Sequence, residues 1–290
     1  MRAWLRRYRV PLFLAATYGW TWAVGVPAAL AAHGIGHTHR SGGAITLAGF
    51  SPSIVALALL LATDGRAGIG TVWRQVWRAE WRRWWRWYLL AWLGPIILTG
   101  LSLLVLPAVG QPLPTLGPWY SPLLGTLVLV PLTGFFEEVG WRGFLQESLE
   151  RRVTPLAASL LVALAWGPWH LPMYLRLNSE GARTPVLIAW FLVGIVPLSI
   201  VFAWIYHRTG KRLLPVIVFH AAIDAGAGYF FGPVRTGELR PFMTWVGLLV
   251  VGAVVVVWRD GWTLGCEAES RVSRPVTTPH IAPRSPSSVA

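Results

Sequence analysis

Apolar residues run along this chain in long, nearly unbroken blocks, without the strict alternation of strands or the stripes of water-exposed helices. Blocks of about 17 to 25 apolar residues have the length that carries a helix across a bilayer. The pattern predicts eight spans, at roughly 10–32, 44–63, 88–109, 119–141, 154–172, 185–206, 213–231 and 241–258. Pro and Gly fall inside several of them, which membrane helices tolerate. The expected fold is therefore all-α, a multi-pass transmembrane bundle of about eight helices. The first block follows Arg2 to Arg9 and ends near Ala29-Leu30-Ala31, as a secretory signal would. Its apolar run exceeds the usual signal core of roughly 7–15 residues, so it is read as a retained span.

Two segments break this rhythm. Residues 71–87 place Trp73, Trp77, Trp81 and Trp84 at helical spacing, with Arg74, Arg78, Arg82 and Arg86 on the adjacent face. One interfacial amphipathic helix is expected there, with indoles at the headgroup level and guanidinium groups on anionic lipid. Residues 266–290 are rich in Ser, Pro, Thr and Arg and offer little to bury, so a disordered tail is expected. The chain thus divides into N-terminal spans with the interfacial helix (1–118), a core (119–231), a last span (232–265) and the tail.

Composition narrows the class. Hydrophobic residues make up 54% and charged residues 13%, against about 25% charge in soluble domains, which excludes a soluble globular protein. The 25 Lys and Arg against 12 Asp and Glu give a formal +13. Nucleic-acid binding would need that charge on one solvated face, whereas here it sits in short clusters between apolar blocks. Counted along the nine non-spanning pieces, with Arg142 in the fifth, Lys and Arg number 4, 1, 6, 0, 3, 2, 3, 2 and 4. The odd-numbered pieces hold 20 of the 25, which places them and both termini in the cytoplasm. A single cysteine, Cys266, excludes a disulfide framework and a cysteine metal cage.

Charge inside a bilayer is expensive and marks candidate sites. Only Glu137, Glu138 and Asp224 among the acids, and His170 and His220 among the histidines, fall within apolar blocks; His207 and the other four histidines read as loop or tail residues. Arg151, Arg152 and Thr154-Pro155 mark a turn, and Glu137/Glu138 and His170 lie about sixteen residues to either side of it. In an antiparallel hairpin both sit roughly 24 Å from the turn, at one depth. His220 is about ten residues past Gly210, or roughly 15 Å, with Asp224 one turn deeper. Glu138 and Arg142 are spaced for a salt bridge on one helix face, which leaves Glu137, about 100° around, for chemistry. His220 and Asp224 share the same spacing, where a carboxylate can fix a histidine tautomer or share a metal with it. Taken alone, these residues leave open hydrolysis, ion or proton transport, and a binding scaffold.

Glu137-Glu138-Val139-Gly140-Trp141-Arg142 resembles the EExxxR motif of the CPBP intramembrane proteases, also called the type II CAAX prenyl endopeptidase or Abi family. Trp166-Gly167-Pro168-Trp169-His170 resembles its FxxxH motif with Trp in place of Phe, which keeps an aromatic packing role, and His220-Ala221-Ala222-Ile223-Asp224 resembles HxxxN or HxxxD. The resemblance covers roughly residues 120–231. It implies an eight-helix membrane endopeptidase acting on a membrane-associated protein or peptide, including prenylated CaaX proteins, in the cell membrane, the inner membrane if the source is bacterial. It further implies Glu137 as the base that activates water, His170 as its positioner, His220 and Asp224 at the oxyanion, and Arg142 orienting the glutamate pair. Zinc is the cofactor that His170, His220 and Asp224 would hold if a metal is used; no HExxH pattern accompanies them. A bacteriocin-immunity or scaffold role using the same polar cluster is the alternative.

Overall fold

The computed structural model describes residues 1–36, 42–78, 80–177, 184–234 and 238–266. The tail from 267, together with His37, His39 and Glu180, lies outside the described residues. Among these residues all regular structure is helical. The principal helices are α1 (Arg9–Ala32), α2 (Ser51–Asp64), α3 (Arg66–Trp77), α4 (Trp81–Ser102), α5 (Ser121–Leu149), α6 (Pro155–Trp169), α7 (Thr184–Arg208), α8 (Leu213–Phe231) and α9 (Arg240–Asp260). They form a multi-pass helical membrane bundle.

Six segments among the described residues are long and apolar enough to cross a membrane, against the eight expected: Arg82–Ala108, Ser121–Leu149, Pro155–Arg176, Pro185–Arg208, Leu213–Phe231 and Arg240–Thr263. The two shortfalls have different causes. At 24 residues α1 is long enough, about 36 Å, but Tyr18, Trp20, Trp22 and its threonines dilute its apolar character. The second expected span is interrupted instead, as Gly42–Gly49 and α2 meet at Phe50. Thr21 of α1 secures this junction, donating to the Ala48 carbonyl at 2.8 Å and lying 2.6 Å from the Ser51 hydroxyl.

The expected amphipathic helix over 71–87 is also divided, with α3 ending at Trp77 and α4 starting at Trp81. Arg212, at the head of α8, explains the break: its guanidinium donates to the Arg78 carbonyl and pairs with Glu80 at 2.9 Å. Trp73 and Trp77 remain exposed on α3, while Trp84 turns its N–H to Glu80. The side chain of Trp81 lies outside the described residues.

α8 is the central helix, packed on α4, α5 and α7. Its closest approaches use glycine, since helices in hydrocarbon associate through tight packing more than through expelled water. A Cβ at Gly134 of α5 would strike the Ile217 carbonyl of α8, and one at Gly140 would come within 2.5 Å of the Pro52 backbone of α2. Between these glycines α5 is not uniform. Val130–Gly134 and Trp141–Gln146 wind as π-helix on either side of the α-helical turn Phe135–Gly140, a distortion frequent at functional sites.

A polar cluster closes the end of the bundle that carries Arg9 and Lys211. His207, read from sequence as a loop residue, is buried in the last turn of α7, 2.7 Å from Glu150. Lys211 pairs with Glu147 at 2.8 Å and Glu150 at 3.2 Å, and Tyr206 donates to Glu147 while accepting from Gln75 of α3. Burial pushes the Glu150 carboxyl up, but the bond and field of His207, with Gln146 and Lys211, outweigh it and hold the group below its ordinary 4.5. The stabilisation is therefore present above about pH 4.5 and lost as pH falls through the lower folded value. Glu150→Gln is expected to cost about 3 kcal/mol at neutral pH by orphaning buried partners. Thermal melts in detergent should show the gap between variant and wild type closing as the pH is lowered below 4.5; a gap independent of pH would refute this account.

Candidate active site

Glu137 and Glu138 sit on the α-helical turn of α5, His170 at the break after α6, and His220 and Asp224 on α8. The break is built by Gly167 and Pro168: the His170 backbone N–H bonds back to the Gly167 carbonyl at 3.1 Å, and a new helix, Leu171–Leu177, starts beyond it. The three elements meet around Glu137, which lies within 4 Å of both histidines; equal distances from the 151–154 turn predict this for the first two, and His220 on α8 joins them.

Glu138 and Arg142 are both fully buried and pair at 3.3 Å. Arg142 donates at 3.3 Å to the Ser199 hydroxyl of α7, which itself donates to the Ser159 carbonyl of α6 at 2.8 Å. The rings of Trp166 and Phe202 meet the guanidinium carbon at 4.7 and 4.3 Å from their centroids, a cation–π contact strengthened by desolvation. Arg142 is thus a core residue, not a cytoplasmic loop charge; without it the fifth and sixth pieces tie at two Lys or Arg each, and the odd-numbered pieces still hold 19 against 5.

The histidines are oriented by their inner nitrogens. His170 Nδ1 lies 2.9 Å from the Trp166 carbonyl; a carbonyl can only accept, so Nδ1 carries the proton and Nε2 faces outward. His220 Nδ1 meets Glu138 Oε1 at 2.6 Å. Spacing had offered Asp224 as the carboxylate that fixes His220, but the structure gives that place to Glu138. Asp224 Oδ2 stands 3.7 Å from His220 Nε2, too long for a hydrogen bond.

Glu137 completes the arrangement without being neutralised by Arg142. Its Oε2 accepts from the Trp166 indole N–H at 2.8 Å and lies 3.8 Å from His170 Nε2, while its Oε1 lies 3.9 Å from His220 Nε2. Both gaps exceed a direct hydrogen bond and are narrow enough for one atom to bridge. The group opens on a cavity of about 640 Å³ lined mostly by apolar side chains, among them Phe191, Phe202, Phe231 and Trp245. Asp224 lies at its wall.

Sequence reasoning missed three participants. Ser159 and Ser199 looked like ordinary small residues in apolar spans, and their signal was only a hydroxyl at the depth of Arg142. Trp166 was credited with packing alone, whereas its N–H is the donor to Glu137. The expected metal set finds no support in this geometry: among the described residues no group of three or more His, Cys, Asp or Glu side chains is arranged to hold an ion.

Comparison with known proteins bears on the same segment. Residues 118–226 match the family model described as type II CAAX prenyl endopeptidase Rce1-like. The resemblance read from the motifs holds there. CAAX prenyl protease 2 of Methanococcus maripaludis is 29% identical over 134 residues, covering 45% of this chain and 48% of that protein. The chain thus spans about half the length of the curated relative it matches. All six candidate residues lie inside the Rce1-like segment.

Arg142→Ala is expected to leave Glu138 a buried carboxylate with His220 as its one remaining partner among the described residues, at a cost of about 3 kcal/mol. Arg142→Lys should recover only part of the loss, since an ammonium cannot serve Glu138, Ser199 and two ring faces together. Detergent-solubilised yield and melting temperature check both variants; wild-type stability in the alanine variant would show that the pair is not what holds the site.

Proposed function

We propose that this chain is an intramembrane endopeptidase that hydrolyses a peptide bond in a membrane-associated protein, with water activated by Glu137. The observation that carries the reading is the unequal treatment of adjacent carboxylates. Glu138 is bound by Arg142 and His220, whereas Glu137 takes one hydrogen bond among the described residues and faces two histidine nitrogens across bridgeable gaps.

Glu137 takes a proton from water as the oxygen attacks the scissile carbonyl, and then passes it to the leaving amine as the C–N bond breaks. His170 Nε2 orients the water. His220, held at Nδ1 by Glu138, offers Nε2–H to the oxyanion when both nitrogens are protonated. Asp224, at the cavity wall, meets the substrate side of the same space. The apolar cavity accommodates the substrate's hydrophobic part, and a prenylated CaaX-type segment is one candidate of that chemistry. The exposed Trp and Arg residues of α3 and early α4 rest on anionic lipid headgroups at the cytoplasmic face. A binding scaffold is the second reading, favoured by the fully buried Glu138–Arg142 pair, which is as useful to a rigid receptor as to an enzyme.

Comparison of new peptide termini in membranes carrying wild type or Glu137→Gln tests the assignment. Termini unique to wild type, with the variant folded, are the expected result; identical profiles with the cellular role intact would establish the scaffold. Asp224→Asn should retain hydrolysis if that group serves the oxyanion and lose it if a metal is held there. Cleavage should survive chelation, and loss on chelation with recovery on added zinc would assign the metal route instead.

A further inference from the structure

Trp166 touches Glu137, Arg142 and both histidines of the site. Its ring lies against the Arg142 guanidinium at 4.7 Å, His170 and Phe202 each at 5.5 Å, and His220 at 5.6 Å between centroids. It is only 2% exposed, so its ring has little room to move. Its carbonyl holds His170 Nδ1, and its indole N–H reaches Glu137 Oε2 at 2.8 Å. The phenylalanine of the FxxxH pattern would occupy the ring's place and donate nothing.

This matters because the terminal torsion of a glutamate is broad. Without a fixed donor the Glu137 carboxylate could turn either oxygen towards either histidine or into the cavity. A buried indole N–H also requires an acceptor, and in an apolar wall this carboxylate supplies it. Resting on the reading of Glu137 as the base, we propose that Trp166 is a positioning residue: its N–H pins Oε2 and keeps Oε1 turned towards His220, so that bound water meets a carboxylate of one orientation. Trp166 touches no reacting atom and acts through Glu137.

Two measurements test this. In protein labelled with ¹⁵N-tryptophan, the Trp166 indole resonance, assigned by its loss in Trp166→Phe, should shift and its N–H exchange faster in Glu137→Ala. Replacement of Trp166 by benzothienylalanine, which keeps the bicyclic shape and puts sulfur where the N–H was, should lower kcat about tenfold, as losing one hydrogen bond to a charged group does, with KM unchanged. The kinetic substrate is the one identified by its wild-type-only termini. An indole resonance unmoved by Glu137→Ala overturns the contact. A benzothienylalanine protein with wild-type kcat, or one altered only in KM, overturns the positioning role. Full cleavage by Glu137→Gln overturns the base and the role resting on it, and the resonance then still reports whether the hydrogen bond exists.

Discussion

A guanidinium sealed inside an apolar bundle has to be matched at once in charge, in hydrogen bonds and in surrounding polarisable surface, because its desolvation costs several kcal/mol. Arg142 meets most of that demand, its Nε excepted, by recruiting Glu138 from its own helix, Ser199 and Phe202 from α7, and Trp166 from α6, with Ser159 behind Ser199. His220 of α8 joins through the same glutamate. Four helices are thereby held in one register around one cation, and the candidate reactive groups are the outer layer of that arrangement. The glycine contacts that let α5 lie against α2 and α8 serve the same end.

Neighbouring glutamates in this setting divide the work by direction alone. About 100° of helical rotation separates them, enough to send Glu138 to Arg142 and Glu137 towards the two histidines that line the cavity. Identical side chains thus acquire different places, one bound to a buried cation and one facing two histidine nitrogens. The histidines show the same logic, since the inner nitrogen of each is committed to a fixed acceptor and the outer one is presented to Glu137.

Much of this was readable from residues alone. The cost of charge in hydrocarbon singled out Glu137, Glu138, His170, His220 and Asp224, and equal distance from a turn brought two of the three helices to one level. Four other features could not be read this way. The partner of His220 depends on how α8 is rotated against α5, which spacing within α8 cannot reveal. The separation of α3, ending at Trp77, from α4, starting at Trp81, depends on Arg212, far along the chain. His207 looked like a loop residue because it ends an apolar block; only the folding of Glu150 against it makes it a buried group. The indole N–H of Trp166 was hidden by the habit of treating an aromatic replacement as one of shape.

The π turns on either side of the glutamate pair also bear on how this segment can vary. Each accommodates an extra residue within a helix that otherwise continues. Losing that residue from 130–134 would return the stretch to ordinary α-helix with its flanking faces nearly unmoved, whereas deleting one between Gly134 and Glu138, in the α-helical turn, would rotate everything on one side by about 100° relative to the other. Gly134 would leave the Ile217 carbonyl, or Glu138 would leave His220, and no local repacking could satisfy both. The α-helical turn that carries the glutamates should therefore accept changes of side chain far more readily than changes of length, while the π turns beside it are where one residue can be lost.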